Sequence, residues 1–191
     1  MSGNIHENFE EINQMQEKVA QLQEDYWLSY TNIDSWQFWV MVLMLIVPLI
    51  IFILKIDRSK LFLLLFFAFN IHVWFAYIDA FGVRRGFWEY PHSLTPYFPF
   101  SLSLDGSLVP VAYMFVYQWT LNKKKNFYLY AIALSAIFSF GLKPLLVSIN
   151  LFGLNKGMNY FYLFLLYCLM FLISKLITNF FLKLESKVNK Y

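Results

Sequence analysis

WQFWVMVLMLIVPLIIFILKIDRSKLFLLLFFAFNIHVWFAYIDAFG, residues 36–82, decides the fold class. Two apolar runs, 36–54 and 61–82, flank the charged hexapeptide KIDRSK. A helix crossing bilayer hydrocarbon needs roughly 20 apolar residues, and both runs are long enough. Asp34 and Ser35 stand just before the first run, where an N-cap side chain would accept a free backbone N–H. Pro48 lies inside that run and predicts a kink of the kind membrane helices tolerate.

Further along the chain, residues 126–148 and 158–182 form two more long apolar runs, the first containing Lys143-Pro144 and the second Lys175 near its end. Between them and the first pair, the apolar stretch after Gly106 is too short to cross alone. A crossing there must begin near Ser101 and span 101–122, which takes Asp105 and Gly106 into the membrane. The fold class expected is all-α: a polytopic transmembrane helix bundle of about five spans over residues 35–182. Residues 1–34 form a polar segment in which Ile12, Met15, Val19, Leu22 and Tyr26 recur at spacings of three and four, one face of a short amphipathic helix. One reading is a short coiled coil or an interfacial helix; the plainer one, favoured because a coiled coil wants ~3–4 heptads, is a solvated amphipathic lead-in that rests on the bilayer. Residues 183–191 form a tail.

Composition agrees. Hydrophobic residues make up 59% and charged residues 14%, against roughly 25% charged in an average soluble domain. The net charge of +3 is spread along the loops and gives no case for a nucleic-acid partner; the expected partner is the lipid bilayer, with a homo-oligomer or membrane partner left open. Cys168 is the single cysteine and lies in an apolar run, so neither a disulfide framework nor a cysteine metal site is expected. No basic segment followed by an apolar core opens the chain, so the first span is expected to drive insertion.

Cytoplasmic loops are enriched in Lys and Arg. One side would receive Lys55, Arg58, Lys60, Lys123, Lys124, Lys125, Lys183, Lys187 and Lys190; the other would receive Lys18, Arg84, Arg85 and Lys156. The expectation is an N-terminus outside and a C-terminus inside.

Ionisable groups within spans cost at least ~2.5–3.5 kcal/mol each on insertion scales, so each requires a reason. At 1.5 Å of rise per residue, Asp79, Asp105 and Lys143 all fall about 5–8 Å below the outer ends of their spans. His72 lies two turns from Asp79 on the same helix face. Above them runs RRGFWEYPHSLTPYFPF, residues 84–100, which holds three of the six prolines. Proline fixes φ and removes a backbone donor, so this connection reads as a stiff lid. The candidate ligand-binding set is Asp79, Asp105, Lys143, His72, Arg84, Arg85, Trp88, Glu89 and Tyr90: an outward polar pocket with an aromatic rim, capped also by His92. Plainer roles compete with it. Either aspartate with Lys143 makes a structural ion pair, Asp105 caps a shortened span, and His72 is a hydrogen-bonded helix contact. Asn70 and Gln118 read as interhelical hydrogen-bond donors. No glycine-rich phosphate loop, paired-His metal spacing or nucleophile elbow is present, so no catalytic residue, cofactor or metal is expected.

FWEYPHSLTPYFPFSLSLDGSLVPVAYMFVYQW, residues 87–119, resembles a family of small integral membrane proteins from endospore-forming bacteria. The matching positions are Trp88, Tyr90, Pro91, Pro96, Asp105, Pro110, Val111, Tyr117 and Gln118, and the likeness extends upstream through WQFWVMVLMLIVPLI and the KIDR turn. The resemblance implies a bacterial cytoplasmic membrane location. It also implies an acidic residue before the proline of the fourth span, where this chain has Lys143; that reversal favours a pairing or ligand-tuning role over one fixed acid.

Three function classes follow. The first is a non-enzymatic multi-pass protein with an outward pocket for a small ligand or lipid headgroup. The second is a proton- or ion-coupled permease component, weakened by the lack of an internal repeat. The third is a membrane enzyme acting on an isoprenoid-like substrate. The topology is testable in a Cys168→Ser background: an impermeant maleimide should label Arg85→Cys from outside and Lys124→Cys only after permeabilisation. Labelling of both from one side would overturn the orientation.

Overall fold

The computed structural model describes residues 5–188. Local chemistry sets where its helices begin and end. Helix α1 covers Ile5–Tyr30. Helix α2, Trp36–Lys55, starts at Ser35, whose hydroxyl accepts the Phe38 amide at 3.3 Å. A single 3₁₀ turn, Arg58–Lys60, follows, with the Asp57 carboxylate accepting from Ser59 N–H. Helix α3, Leu61–Arg85, ends because Gly86 takes φ 67°, a left-handed conformation that costs glycine little.

The chain then runs through a two-residue strand β1 (Trp88–Glu89) and an irregular stretch, and is helical again from 102 to 123. That helix opens with a wide π turn, Leu104–Leu108, before the regular helix α4, Val109–Lys123. Helix α5 (Phe127–Ala136) is capped by the Asn126 side chain and passes through a second wide turn, Ile137–Leu142, into α6 (Lys143–Ser148). Strand β2 (Gly153–Leu154) and the long helix α7 (Tyr160–Val188) complete the order. Each wide turn ends two residues before a proline, Pro110 or Pro144. A helical proline has no N–H to donate and its ring crowds the carbonyl four residues back. Those carbonyls belong to Gly106 and Phe140, both inside the wide turns, where the extra residue relieves the crowding.

Four helical stretches are long and apolar enough to cross a membrane: Trp36–Lys55, Arg58–Arg85, Phe127–Ser148 and Tyr160–Ser186. They lie where the sequence places four of its runs. The expected crossing at 101–122 is helical but interrupted, and its regular part, Val109–Lys123, has 15 residues. The interruption is the wide turn that lodges Asp105 and Gly106.

Helix α3 is the hub, packing on α4 and α7, while α2 rests against the first wide turn. Leu64, Phe67, Ile71 and Phe75 recur at spacings of three and four on its buried face. They meet rings of α4 and α7, with Phe67–Tyr117 and Phe75–Tyr167 centroids 4.7 and 4.8 Å apart. The outward faces are equally apolar: Leu54, Phe62, Phe69, Leu129 and Leu176 are all exposed. A soluble protein rarely leaves so continuous an apolar surface uncovered, and together with the four long helices this is compatible with a membrane protein.

Two polar residues behave differently from each other. Gln118 bridges from α4 to the α2–α3 turn, donating to the Lys55 carbonyl and accepting the Asp57 N–H. Asn70, expected to bond another helix, donates to the Phe66 carbonyl of its own. It faces outward, and within its own helix that carbonyl is the nearest acceptor.

The connections after α3 and α6 are tied by β1 and β2, which pair antiparallel with Trp88 opposite Leu154 and Glu89 opposite Gly153. This ladder presses the Trp88 indole onto α3 at Gly82, where an added Cβ would come within 1.9 Å of the ring. Gly82→Ala should therefore lower stability by about 1–3 kcal/mol, read as an earlier melting transition in detergent. Gly141→Ala, where a Cβ meets nothing within 4 Å, should change little. Equal melting of the two variants would contradict this packing.

Candidate functional site

Asp79 sits on α3 almost one turn before Gly82 and is buried. Three donors from the connection between α3 and α4 converge on its carboxylate. Trp88 Nε1–H reaches Oδ1 at 2.6 Å, the Tyr90 hydroxyl reaches the same oxygen at 2.9 Å, and Ser101 N–H reaches Oδ2 at 3.0 Å. The local sequence explains how: Gly86 reverses the chain, Gly82 makes room for the indole, and alternation along β1 turns Trp88 inward and Glu89 outward. A carboxylate away from water needs this company, because its lone pairs must be met by protein donors.

Lys143, at the start of α6, is buried too. Its ammonium donates to the Tyr90 oxygen at 3.2 Å and lies 3.6 Å from the centroid of the Phe152 ring, a cation–π contact. Burial and the adjacent Asp79 carboxylate push the Tyr90 phenol well above its ordinary pKa, so it keeps its proton and can donate to Asp79 while accepting from Lys143. The expected direct ion pair between Lys143 and an aspartate is not formed. Among the described residues only Lys60 and Asp57 approach within ion-pair distance, at 2.7 Å. The Tyr90 phenol occupies the bridging place instead.

Asp105 lies in the first wide turn, buried, and its Oδ2 has no hydrogen-bond partner. It is not the N-cap weighed from the sequence, since helix precedes it. Its backbone carbonyl accepts from the His72 ring at 2.7 Å with Nδ1 as donor, so His72 is a hydrogen-bonded contact between α3 and the wide turn. Asp79, Asp105, Lys143 and Tyr90 share the walls of one small cavity of about 30 Å³, with Phe75, Trp88 and Tyr167 around them. A space of that size holds one or two waters at most.

Above this cavity lies a larger cleft of about 490 Å³ between α1 and the proline-rich connection. Tyr26, Trp27 and Gln23 form one wall and Pro96, Phe98 and Phe100 the other; Tyr90 lines both the cleft and the cavity below it. The walls are joined by Trp27 Nε1–H to the Ser93 carbonyl at 2.8 Å and by Thr31 Oγ1 to His92 Nδ1 at 3.1 Å. Burial lowers the pKa of His92, which keeps its imidazole neutral there.

Of the residues expected to form one pocket, Asp79, Asp105, Lys143, Trp88 and Tyr90 come together and His72 touches them through backbone. Arg84, Arg85 and Glu89 do not. Arg84 is exposed beside α1, the Arg85 guanidinium rests 5.7 Å from the Phe81 ring, and Glu89 is exposed on β1. Their charged ends stay at the surface while Trp88 and Tyr90 seal the cluster. Trp88 is accordingly a buried seal, not part of an exposed rim. His92 likewise turns to α1. Sequence reading did not find the Ser101 amide, Phe152 or Tyr167: a backbone donor leaves no signal, and the two rings resemble every other aromatic in the chain. A second buried ammonium, Lys175, donates to Tyr117 Oη at 2.7 Å and lies 4.0 Å from that ring's centroid.

Against protein-family models, curated proteins and solved structures, nothing matches this chain.

The bridging role of Tyr90 is directly testable. Tyr90→Phe keeps the ring and removes the hydroxyl, leaving Asp79 short of a donor and Lys143 short of an acceptor. The expected cost is about 1–3 kcal/mol, measured as a shift in the detergent-denaturation midpoint. An unchanged midpoint would show that the phenol oxygen bridges nothing.

Proposed function

We propose that this chain is a non-enzymatic, multi-pass integral protein of a bacterial cytoplasmic membrane that binds a small ligand or lipid headgroup at its outer face. The observation that carries this reading is the cleft of about 490 Å³ between α1 and residues 90–100, within the range of roughly 300–1,000 Å³ usual for small-molecule sites. Its walls are aromatic rings, prolines, hydroxyls and the Gln23 amide, with no carboxylate, ammonium, guanidinium or imidazole. Such walls favour an uncharged ligand portion with both apolar and hydrogen-bonding surface. They also offer no acid–base pair, which favours binding over catalysis.

In this reading the helical stretch from 102 to 123 is a fifth crossing, broken where its wide turn is enclosed by protein; irregular backbone at membrane depth is tolerated only in such places. Five crossings put the termini on opposite sides, and the Lys and Arg distribution puts the N-terminus outside. Helix α1 then lies over the outer surface as an amphipathic helix and serves as a movable wall of the cleft. A permease component is the second reading, favoured by the buried Asp79, Asp105 and Lys143 under the cleft floor.

The cleft reading predicts a specific loss. Native mass spectrometry of protein purified in mild detergent and exposed to a bacterial lipid extract should show retained adducts on the wild type. Thr95→Trp, which fills the cleft, should reduce their occupancy at least tenfold while the melting temperature holds. Equal occupancy in both proteins would reject the cleft as the binding place.

A further inference from the structure

The buried cluster is one positive charge short, independently of what the cleft above it binds. Asp79 and Asp105 place two carboxyl groups around the cavity of about 30 Å³, and Lys143 supplies the one basic group on its walls. Asp79 accepts from Trp88 and Tyr90 on Oδ1 and from Ser101 on Oδ2, which leaves acceptor capacity on Oδ2. Asp105 Oδ2 is buried without a donor and Asp105 belongs to the same cavity wall. The two carboxyl groups line the same cavity, and two ionised carboxylates cannot satisfy each other there because neither has a proton to give. An uncompensated buried charge is among the most destabilising features a protein can hold.

We propose that Asp79 and Asp105 form a binding site for one exchangeable monovalent positive charge, either a proton shared between the carboxyl groups or a sodium-sized ion in the cavity. With that charge bound, the pair carries −1 and Lys143 carries +1, and the buried layer is neutral. The groups facing the pair are Lys143 from α6, Tyr90 from the outer connection and Tyr167 from α7. His72 of α3 faces it through the Asp105 carbonyl. Helix α4 offers Tyr113, which is engaged with Ser135 at 2.7 Å, and α2 carries no ionisable side chain before Lys55. None of these adds a third carboxylate or a second ammonium. The Tyr90 phenol, which touches Asp79 and also lines the outer cleft, is the element through which the site communicates with the outside.

The experiment is infrared difference spectroscopy on the full chain in lipid nanodiscs, comparing the wild type with Asp105→Asn. It is run in choline chloride and in sodium chloride, from mildly acidic to alkaline pH. If the charge is a proton, the wild type shows a carboxylic-acid carbonyl band at neutral pH that shifts in D₂O, is indifferent to sodium and is absent from Asp105→Asn. If it is an ion, carboxylate bands of the wild type change on adding sodium but not choline, and Asp105→Asn shows no such change. Either result supports the site and names its source. The absence of both an acid band and a sodium response overturns it. Asp105→Asn keeps the shape of the side chain and can donate to Asp79, so its melting temperature should match or exceed the wild type; a collapse of folding in this variant also counts against the proposal. Charge counting gives a further check. Lys143→Met removes the balancing ammonium, so in sodium-free medium the acid band should grow about twofold, and an unchanged band would overturn the balance.

Discussion

A carboxylate on a membrane helix must be given hydrogen-bond donors by the protein, because the hydrocarbon around it has none to give. Asp79 imposes that requirement on the whole half of the molecule that carries the connections after α3 and α6. Trp88, Tyr90 and the Ser101 amide answer it, and their convergence fixes the path of the connection between α3 and α4. The β1–β2 ladder, the indole against Gly82 and the reversal at Gly86 are the means by which those donors are held in place. Lys143 joins the same network at one remove, through the Tyr90 oxygen and the face of Phe152.

The two proline-linked wide turns serve the same layer. The first presents Asp105 to the cavity and the second delivers Lys143 at its end. A regular helix would press Pro110 or Pro144 against the carbonyl four residues back; a turn with one extra residue relieves that clash and rotates the side chains that precede it. Ser107 exploits the same irregularity from the other side, donating at 2.6 Å to the Leu45 carbonyl of α2, close to Pro48. In a bundle whose outer faces are apolar, these few polar contacts between helices decide register more than apolar packing can, since lipid competes equally for apolar surface.

Much of this was legible in the sequence. Runs such as 36–54 and 61–82 declare themselves because bilayer thickness sets their length, and Asp79, Asp105 and Lys143 stand out because each is costly where it lies. Their shared depth follows from helix rise alone. What did not follow is how they meet. A direct ion pair was one of the readings weighed, and a phenol stands in its place, because Tyr90 is indistinguishable in sequence from an interfacial tyrosine. Arg84, Arg85 and Glu89 looked like part of the pocket by proximity along the chain. Their actual directions are set by the Gly86 turn and by strand alternation, neither of which projects charge inward. The cleft against α1 was also hidden, since that wall lies far away in sequence.

Asp79 and Lys143 are joined through Tyr90 without touching. A double-mutant cycle with Asp79→Asn and Lys143→Met, read by steric trapping of unfolding in bicelles, measures that link. The account predicts a coupling energy of about 1 kcal/mol or more, as residues in one hydrogen-bond network show, which falls toward zero when the cycle is repeated in Tyr90→Phe. Additivity within about 0.3–0.5 kcal/mol in the presence of Tyr90 would contradict it.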